Sequence, residues 1–363
     1  NELDNNNCSV GYLMRKELAL KAFKTTALYD ANIQKYFQTT VETVAIPQDL
    51  ALGLSKKQDL RYGENPHQKA GLYSFGNIND KSLLGANIFQ GKELSYNNFL
   101  DANTAMRCSQ EFNDPCCVIV KHVNPCGVAI ADNITDAYEK AFETDPESAF
   151  GGVIAVNRTV DENFAEKLIS NQFVEVIIAP DYAAEALEVF KQKKNIRVIS
   201  VEGYKKNRID FQIQSIDGGF LVQEDDDKII TKVDLNCVTE KKPNQDEIED
   251  LIFAWQVAKY VKSNAIVFAK NRQTIGIGAG QMSRVNSAKI ASLKAANANL
   301  ETIGAVMASD GFFPFSDSIE MASDNGINCI IQPGGSIKDQ EVIEAANKKD
   351  IAMVFTGMRH FRH

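Results

Sequence analysis

The sequence predicts an α/β protein with two layered units, because helical and strand patterns alternate in two separate stretches of the chain. The first stretch ends near residue 201, and the second begins near residue 244. Between them lies a polar segment that contains the acidic run 222–228 and lacks this alternation. We expect four parts: a helical lead-in at 1–39, a first lobe at 40–202, a connector at 203–243 and a second lobe at 244–363.

Hydrophobic spacing predicts the elements of the lead-in and the first lobe. Apolar residues at every third or fourth position indicate a helix over residues 12–39, and short apolar runs bounded by turn residues indicate strands. The expected elements that follow are strand 70–73, helix 97–112, strand 116–122, helix 135–143 capped by Thr135, strand 149–156, helix 160–170, strand 174–179, helix 183–194 and strand 196–201.

The second lobe shows the same kind of alternation. A glycine turn, Gly276 to Gln281, separates its second strand from a helix; because its glycine spacing is not that of the dinucleotide fingerprint, it is a weak signal for a ligand. The expected elements are helix 246–262, strands 265–269 and 274–277, helix 287–296, strand 305–308, helix 317–325, strand 328–331, helix 339–348 and strand 351–355.

The bulk composition excludes several classes of function. The chain has 363 residues, of which 44% are hydrophobic and 24% charged, as in ordinary globular proteins. The net charge of −9 argues against a nucleic-acid partner, since phosphate binding needs a basic surface. No run reaches the roughly 18 apolar residues of a membrane span. We expect neither nucleic acid nor membrane as a partner, while a local basic cluster can still bind an anionic small molecule.

The cysteines and the first residues indicate the compartment. Seven cysteines at scattered spacings do not suggest a disulfide framework and favour a reducing environment. The opening residues, 1–7, have no signal-peptide character. We therefore expect a cytoplasmic protein.

The most informative motif is the adjacent pair Lys121 and His122, at the end of an apolar run. We interpret the following Asn-Pro-Cys-Gly, residues 124–127, as the turn that ends this strand. Two ionisable groups at a strand end are typical of a site in an α/β protein, although a solvated surface pair would look the same. A zinc deaminase has a similar Pro-Cys turn, but position 129 is Ala and the His-x-Glu element is missing.

Two further segments concentrate groups that bind anions. Residues 60–68 combine Arg61 and Tyr62 with a turn, and an arginine fork suits a phosphate or a carboxylate. The basic C-terminal segment directly follows the last predicted strand, so Arg359 is expected at the ligand edge of the sheet. Arg284, one turn into a helix, is expected to face an anionic group or a neighbouring chain.

Taken together, these motifs resemble the AICAR transformylases, which form the C-terminal part of a bifunctional purine-biosynthesis enzyme. The resemblance covers residues 12–363 in the family's order, and the family's cyclohydrolase domain has no counterpart in it. It is carried by residues 61–68, 121–127, 148–152, 262–265, 278–284, 309–315, 332–336 and 359–363.

The resemblance implies the fold, the reaction and the partners. It implies two cytidine-deaminase-like three-layer α/β/α units without zinc, joined by a connecting segment. It implies formyl transfer from the co-substrate 10-formyltetrahydrofolate to the 5-amino group of AICAR, giving FAICAR and tetrahydrofolate. It further implies a homodimer whose active sites lie at the interface, and it leaves open whether a monovalent cation binds.

The resemblance also assigns roles to residues. His122 matches the family's histidine that acts as the base for the amine proton. Lys121 matches a residue that can place a positive charge beside the oxyanion, and Asn264 matches a residue that holds the formyl oxygen and the substrate. Substrate-binding positions match Arg61, Tyr62, Asn98, Phe150, Gly151, Phe312 and Arg359. Positions on the folate side match Arg284 and Asp317.

Two residues depart from the family's pattern. Gly311 stands where the family has alanine, and Ser316 where it has an arginine, which puts folate affinity or local packing in question. Ser316 also motivates an alternative, namely a catalytically weak relative that binds AICAR or another nucleotide. A nucleoside deaminase is a third hypothesis, which stoichiometric zinc would support.

Overall fold

Runs of aliphatic residues that are buried on both faces form the central strands, and helices with one apolar stripe cover them. The computed structural model describes residues 2–41, 46–75, 81–202 and 211–363. The α-helices in the described residues are α1 (Glu2–Asn5), α2 (Tyr12–Val41), α3 (Tyr96–Ser109), α4 (Ile134–Thr144), α5 (Pro146–Ala149), α6 (Glu162–Asn171), α7 (Ala184–Phe190), α8 (Gln245–Ala258), α9 (Arg284–Asn297), α10 (Asp317–Asp324) and α11 (Asp339–Lys348). The strands are β1 (Leu54–Leu60), β2 (Ala70–Phe75), β3 (Asn87–Gln90), β4 (Cys116–Lys121), β5 (Asn124–Ile130), β6 (Gly152–Val156), β7 (Val174–Ala179), β8 (Arg197–Ser200), β9 (Gln212–Ile216), β10 (Gly219–Gln223), β11 (Asn236–Cys237), β12 (Ile266–Lys270), β13 (Gln273–Gly278), β14 (Val306–Ser309), β15 (Cys329–Gln332) and β16 (Ala352–Phe355).

The chain divides into two compact units. The first unit comprises Asn1–Asn79 and Arg208–Asp225, and the second comprises Asp80–Asn207 and Asp226–His363. In the first unit, β1 pairs antiparallel with β2, β9 pairs antiparallel with β10, and α2 forms the predicted long helix. The boundaries expected from the sequence for the two lobes stay a prediction.

The second unit is built on one sheet of twelve strands, in the order β11-β16-β15-β14-β12-β13-β5-β4-β6-β7-β8-β3. Alternate residues of the strands face opposite sides. On one side, a continuous apolar core that includes Val118 and Val267 lies under α3 and α8. On the other side, one core lies under α4, α6 and α7, and a second lies under α9, α10 and α11. The predicted α/β class is confirmed.

The sheet consists of two halves with the same topology. In each half, the first strand of a hairpin, β4 or β12, has an antiparallel neighbour on its other side, β6 or β14. Outward from this neighbour lie two strands parallel to it and then an antiparallel edge strand, β3 or β11. The hairpins β4–β5 and β12–β13 adjoin at the centre of the sheet, where Gln273 pairs with Ala129. Residues at matching places in the two halves can therefore be compared directly.

Equivalent glycines set the distance between helix and sheet in both halves. A Cβ atom at Gly127 would lie 1.9 Å from the carbonyl oxygen of Ala141 in α4. A Cβ atom at Gly276 would lie 2.1 Å from the carbonyl oxygen of Ala291 in α9. Only glycine permits this close backbone approach, so the same packing solution occurs twice.

The structure corrects the predicted turn after Lys121. Residues 124–127 form the start of β5 rather than a turn, and Lys121 pairs with Asn124. The loop of the hairpin is the dipeptide His122-Val123, whose φ angles are 51° and 65°. Positive φ at both central residues is the conformation that a two-residue hairpin loop needs. The prediction of Thr135 as a helix cap is also wrong, because the side chain of Asn133 caps α4 by accepting from Asp136 N–H.

Candidate active site

The candidate residues of the second unit lie along one edge of the sheet, by which we mean the side where neighbouring strands end or begin. Val120 pairs with Val153, so Lys121 and His122 at the end of β4 lie beside the starts of β6 and β7. In the other half, Ile266 pairs with both Gly278 and Ser309, so the start of β12 lies beside the ends of β13 and β14. The end of β16 reaches this edge as well, because β14, β15 and β16 are parallel.

His122 is exposed on its hairpin loop, and its backbone is fixed from several sides. Its carbonyl oxygen accepts a hydrogen bond of 3.1 Å from the Asn124 side chain. The neighbouring Val123 N–H donates to the Asp101 carboxylate at 2.6 Å. Within the described residues of the second unit, no hydrogen bond engages the imidazole ring. The hairpin loop therefore presents an exposed imidazole without a hydrogen-bond partner among these residues.

Lys121 is tied to the residues between α5 and β6. Its ammonium group donates to the carbonyl oxygen of Phe150, and a Cβ atom at Gly151 would lie 3.4 Å from the Lys121 nitrogen. A lysine ammonium has three N–H donors, so this bond leaves two for other acceptors. Lys121, Phe150 and Gly151 thus form one group, and the Phe150 ring is 60% exposed beside it.

Asn264 is linked to the His122 loop through the backbone. Lys262 N–H donates to the Asn124 side chain at 2.9 Å, and the same side chain donates to the His122 carbonyl. The Asn264 side chain donates to the carbonyl of Gln281 at 2.8 Å, within the glycine turn that the sequence singled out. The structure therefore brings His122 and Asn264 into one hydrogen-bonded framework that joins the two halves.

Arg284 and Phe312 lie together, but Arg284 is already paired. Its guanidinium forms a 2.9 Å ion pair with the fully buried Asp310 and donates to the Phe312 carbonyl at 3.2 Å. Asp310 also accepts from the Ser263 hydroxyl at 2.5 Å. Arg284 thus supports the segment that carries Asn264, and a direct folate contact stays a prediction.

The C-terminal segment, residues 356–363, packs against the same edge. His360 is buried, its ring lies 5.1 Å from that of Trp255, and its Nδ1 is 2.6 Å from the Asp226 carboxylate. Arg359 is exposed and stacks over the Phe361 ring at 4.5 Å. Packing of His360 therefore orients Arg359 outward, where a ligand can reach it.

The other predicted residues are placed as follows. Asn98 is buried and donates to the Glu175 carboxylate at 2.8 Å, while Asp317 begins α10 and accepts from Ser318 N–H. Arg61 donates to the Tyr62 hydroxyl at 2.8 Å in the first unit. Arg61 and Tyr62 thus contact each other within the first unit, and their role in binding substrate stays a prediction.

A cavity of about 410 Å³ adjoins the partner of Asn98. Its walls include Glu175 and three cationic side chains, those of Lys92, Lys194 and Arg197. A cluster of cations suits an anionic group. Neither Arg197 nor Glu175 stands in a sequence motif, so the sequence alone does not indicate this cavity.

Two further groups bear on the chemistry of this edge. Burial raises the pKa of the Cys126 thiol to about 12, so this cysteine is a packing residue of β5 rather than a nucleophile. In the described ranges, no three His, Cys, Asp or Glu side chains converge as they would around a metal ion. A search of the same ranges for a helix long and apolar enough to span a membrane found none.

The matches to known proteins include a solved structure and a family model. A solved structure-genomics target, protein ybgI of unknown function, overlaps 57% of this chain and 72% of its own length, at 7% identity and a TM-score of 0.13. The model of the AICARFT/IMPCHase bienzyme family matches residues 1–294. The chain therefore belongs to the AICARFT/IMPCHase bienzyme family, a family of purine-biosynthesis enzymes.

Proposed function

We propose that this chain transfers the formyl group of 10-formyltetrahydrofolate to the 5-amino group of AICAR, giving FAICAR and tetrahydrofolate. The observation that carries the proposal is the free imidazole of His122, held on a fixed hairpin loop at the edge that also bears Asn264 and Arg359. Family membership supports it independently.

The proposed reaction needs a base because the AICAR amine is a weak nucleophile. Its lone pair is delocalised into the imidazole ring and the neighbouring carboxamide. As the amine nitrogen bonds to the formyl carbon, His122 takes the amine proton. The bond from the formyl carbon to folate N10 then breaks, and the protonated His122 returns its proton to N10, so that neutral tetrahydrofolate leaves. A histidine suits both the uptake of the amine proton and the donation of a proton to N10, because an imidazole can gain and lose a proton near neutral pH.

Lys121 and Asn264 are proposed to stabilise the intermediate. Attack on the formyl carbon places a negative charge on its oxygen, and fixed donors aimed at that oxygen lower the barrier. Lys121 retains two N–H donors beyond its bond to Phe150, and its positive charge is held next to His122. Asn264 is anchored on Gln281 and can present its amide to the substrate.

The remaining proposed contacts concern binding. We propose that AICAR is bound by Arg61, Tyr62, Asn98, Phe150, Gly151, Phe312 and Arg359, and that Arg284 and Asp317 lie on the folate side. The cationic cavity beside Asn98 supports an anionic substrate. The proposed homodimer interface is supported by exposed aromatic side chains at this edge, those of Phe150, Phe315 and Phe361.

The test is the release of tetrahydrofolate from 10-formyltetrahydrofolate with and without AICAR. Turnover should require AICAR, and His122→Ala should lower it by roughly two to four orders of magnitude. Asn271→Ala is the matched control, because Asn271 occupies the equivalent loop position of the second hairpin. It should retain turnover, and circular dichroism and gel filtration should show both variants folded. Wild-type-like turnover in His122→Ala would contradict the proposal. If the wild-type protein binds AICAR but shows no turnover, the alternative of a catalytically weak, nucleotide-binding relative is favoured.

A further inference from the structure

The loop that carries His122 has an equivalent in the second half of the sheet. The hairpin β12–β13 turns through Asn271-Arg272, whose φ angles of 54° and 55° are also positive. Each loop follows a lysine, Lys121 or Lys270, and each lysine donates to a backbone carbonyl that precedes a glycine with positive φ. The two loops thus share one construction and differ in the residue that can accept a proton.

An aspartate holds each loop from the helix that precedes it. Asp101 of α3 accepts from Val123 N–H at 2.6 Å. Asp250 of α8 accepts from Asn271 N–H at 2.8 Å and from Arg272 N–H at 2.6 Å. The left-handed conformation is costly for residues with a Cβ atom, above all for valine, and persists only where surrounding contacts enforce it. These carboxylates supply such contacts.

We infer that Asp101 is the positioning residue for His122: by holding the Val123 N–H it keeps the left-handed loop that aims the imidazole at the substrate edge. Asp250 holds the equivalent loop of the other half, which has Asn271 in place of a histidine. Loss of the Asp250 carboxylate should therefore affect stability and not catalysis. This inference rests on the proposed function of His122 as a base. Burial raises the pKa of the Asp101 carboxyl, and the hydrogen bonds from the backbone N–H groups of Val123 and His122 partly lower it again.

The duplicated loop provides the experiment with its own control. Asp101→Ala removes the acceptor at the histidine loop, and Asp250→Ala removes it at the asparagine loop. A misplaced base costs on the order of tenfold to a hundredfold in rate, so Asp101→Ala should lower kcat by that factor while KM for AICAR changes little. Asp250→Ala should keep kcat within about twofold of the wild-type value, even if it lowers the thermal stability as much as Asp101→Ala does.

Two further measurements separate positioning from folding. Asp101→Asn keeps an oxygen that can accept from Val123 N–H, so it should recover kcat to within about threefold of the wild type. The chain has four histidines, so the ring protons of His122 can be assigned by NMR through His122→Ala. Their signal should shift in Asp101→Ala and stay in place in Asp250→Ala.

Equal losses of kcat in the two alanine variants, or an unshifted His122 signal in Asp101→Ala, would overturn the inference. If the wild type itself fails to transfer the formyl group, the proposed function falls. The NMR comparison then still decides whether Asp101 positions the imidazole.

Discussion

The buried hydroxyl of Thr144 donates a hydrogen bond of 2.6 Å to the carbonyl oxygen of Thr274, joining α4 of one half to β13 of the other. The hydroxyl of Thr274 lies 2.9 Å from that of Thr144 and also donates to the Val128 carbonyl at 3.0 Å. The strands β5 and β13 are therefore joined by side chains as well as by backbone pairing.

Thr144→Val should weaken this junction. Valine keeps the shape but leaves buried polar atoms of Thr274 with one partner fewer, which costs about 1–3 kcal/mol in the free energy of unfolding. Urea unfolding at neutral pH measures the loss. Thr135→Val in the same helix is the control, because its hydroxyl makes only a long, exposed contact of 3.5 Å with Asn163. A similar loss in both variants would contradict the assigned role.

The ion pair between Lys294 and Asp145 should make stability depend on pH. Burial alone would raise the pKa of Asp145, but the Lys294 ammonium and the hydroxyl and N–H of Ser148 lower it below its ordinary value of 3.8. A carboxyl with a lowered pKa adds stability above its unfolded value, and this stability is lost as the pH falls through the folded value. Lys294→Met should therefore cost stability at pH 7 and progressively less below pH 3.8.

The size of this effect should be modest, since the Lys294 side chain is 35% exposed. We expect about 0.5–1 kcal/mol at pH 7 by urea unfolding. Lys338→Met is the control, because its pair with Glu341 is about half exposed and should contribute little. A loss from Lys294→Met that stays constant down to the acid transition would argue against the pairing.

Gly311→Ala should disturb substrate binding through Phe361. A Cβ atom at Gly311 would lie 2.5 Å from the Arg284 guanidinium and 2.6 Å from the Phe361 ring. The ring must then move, and it would weaken a cation–π contact with Arg359 worth about 0.5–1 kcal/mol. We expect KM for AICAR to rise about two- to fivefold.

The control for this substitution is Gly219→Ala, since a Cβ atom at Gly219 meets no atom within 4 Å. Steady-state kinetics of both variants decide the matter. An unchanged KM in Gly311→Ala would show that the Phe361 ring does not support Arg359.

Much of the fold could be predicted because local patterns decide it. Strand Val174–Ala179 and helix Asp339–Lys348 have the bounds that hydrophobic spacing indicates. The prediction failed at β5, where proline and glycine within residues 124–127 are typical of a turn. The real loop contains His122 and Val123. Positive φ is a genuine outlier for a β-branched residue such as Val123, so the tertiary contact to Asp101 overrides the local preference.

Residues of the candidate site can be named from the sequence where a motif contains them, but not where only packing positions them. Lys121, His122 and Asn264 stand in dense polar motifs, and the structure places them at one edge. Asp101 was hidden because a single aspartate in a helix carries no signal of its own. Comparing the chain with itself would have found it, since Asp101 and Asp250 precede Lys121 and Lys270 by the same number of residues.

The burial of His360 against Trp255 has a practical consequence. The chain contains a single tryptophan, so its fluorescence reports on one location. That location adjoins the C-terminal segment, and His360 N–H also donates to the carbonyl of Asp310, the partner of Ser263 and Arg284. Indole emission is therefore an intrinsic optical probe of this edge of the sheet, through which rearrangements next to Asn264 can be followed in real time without a label.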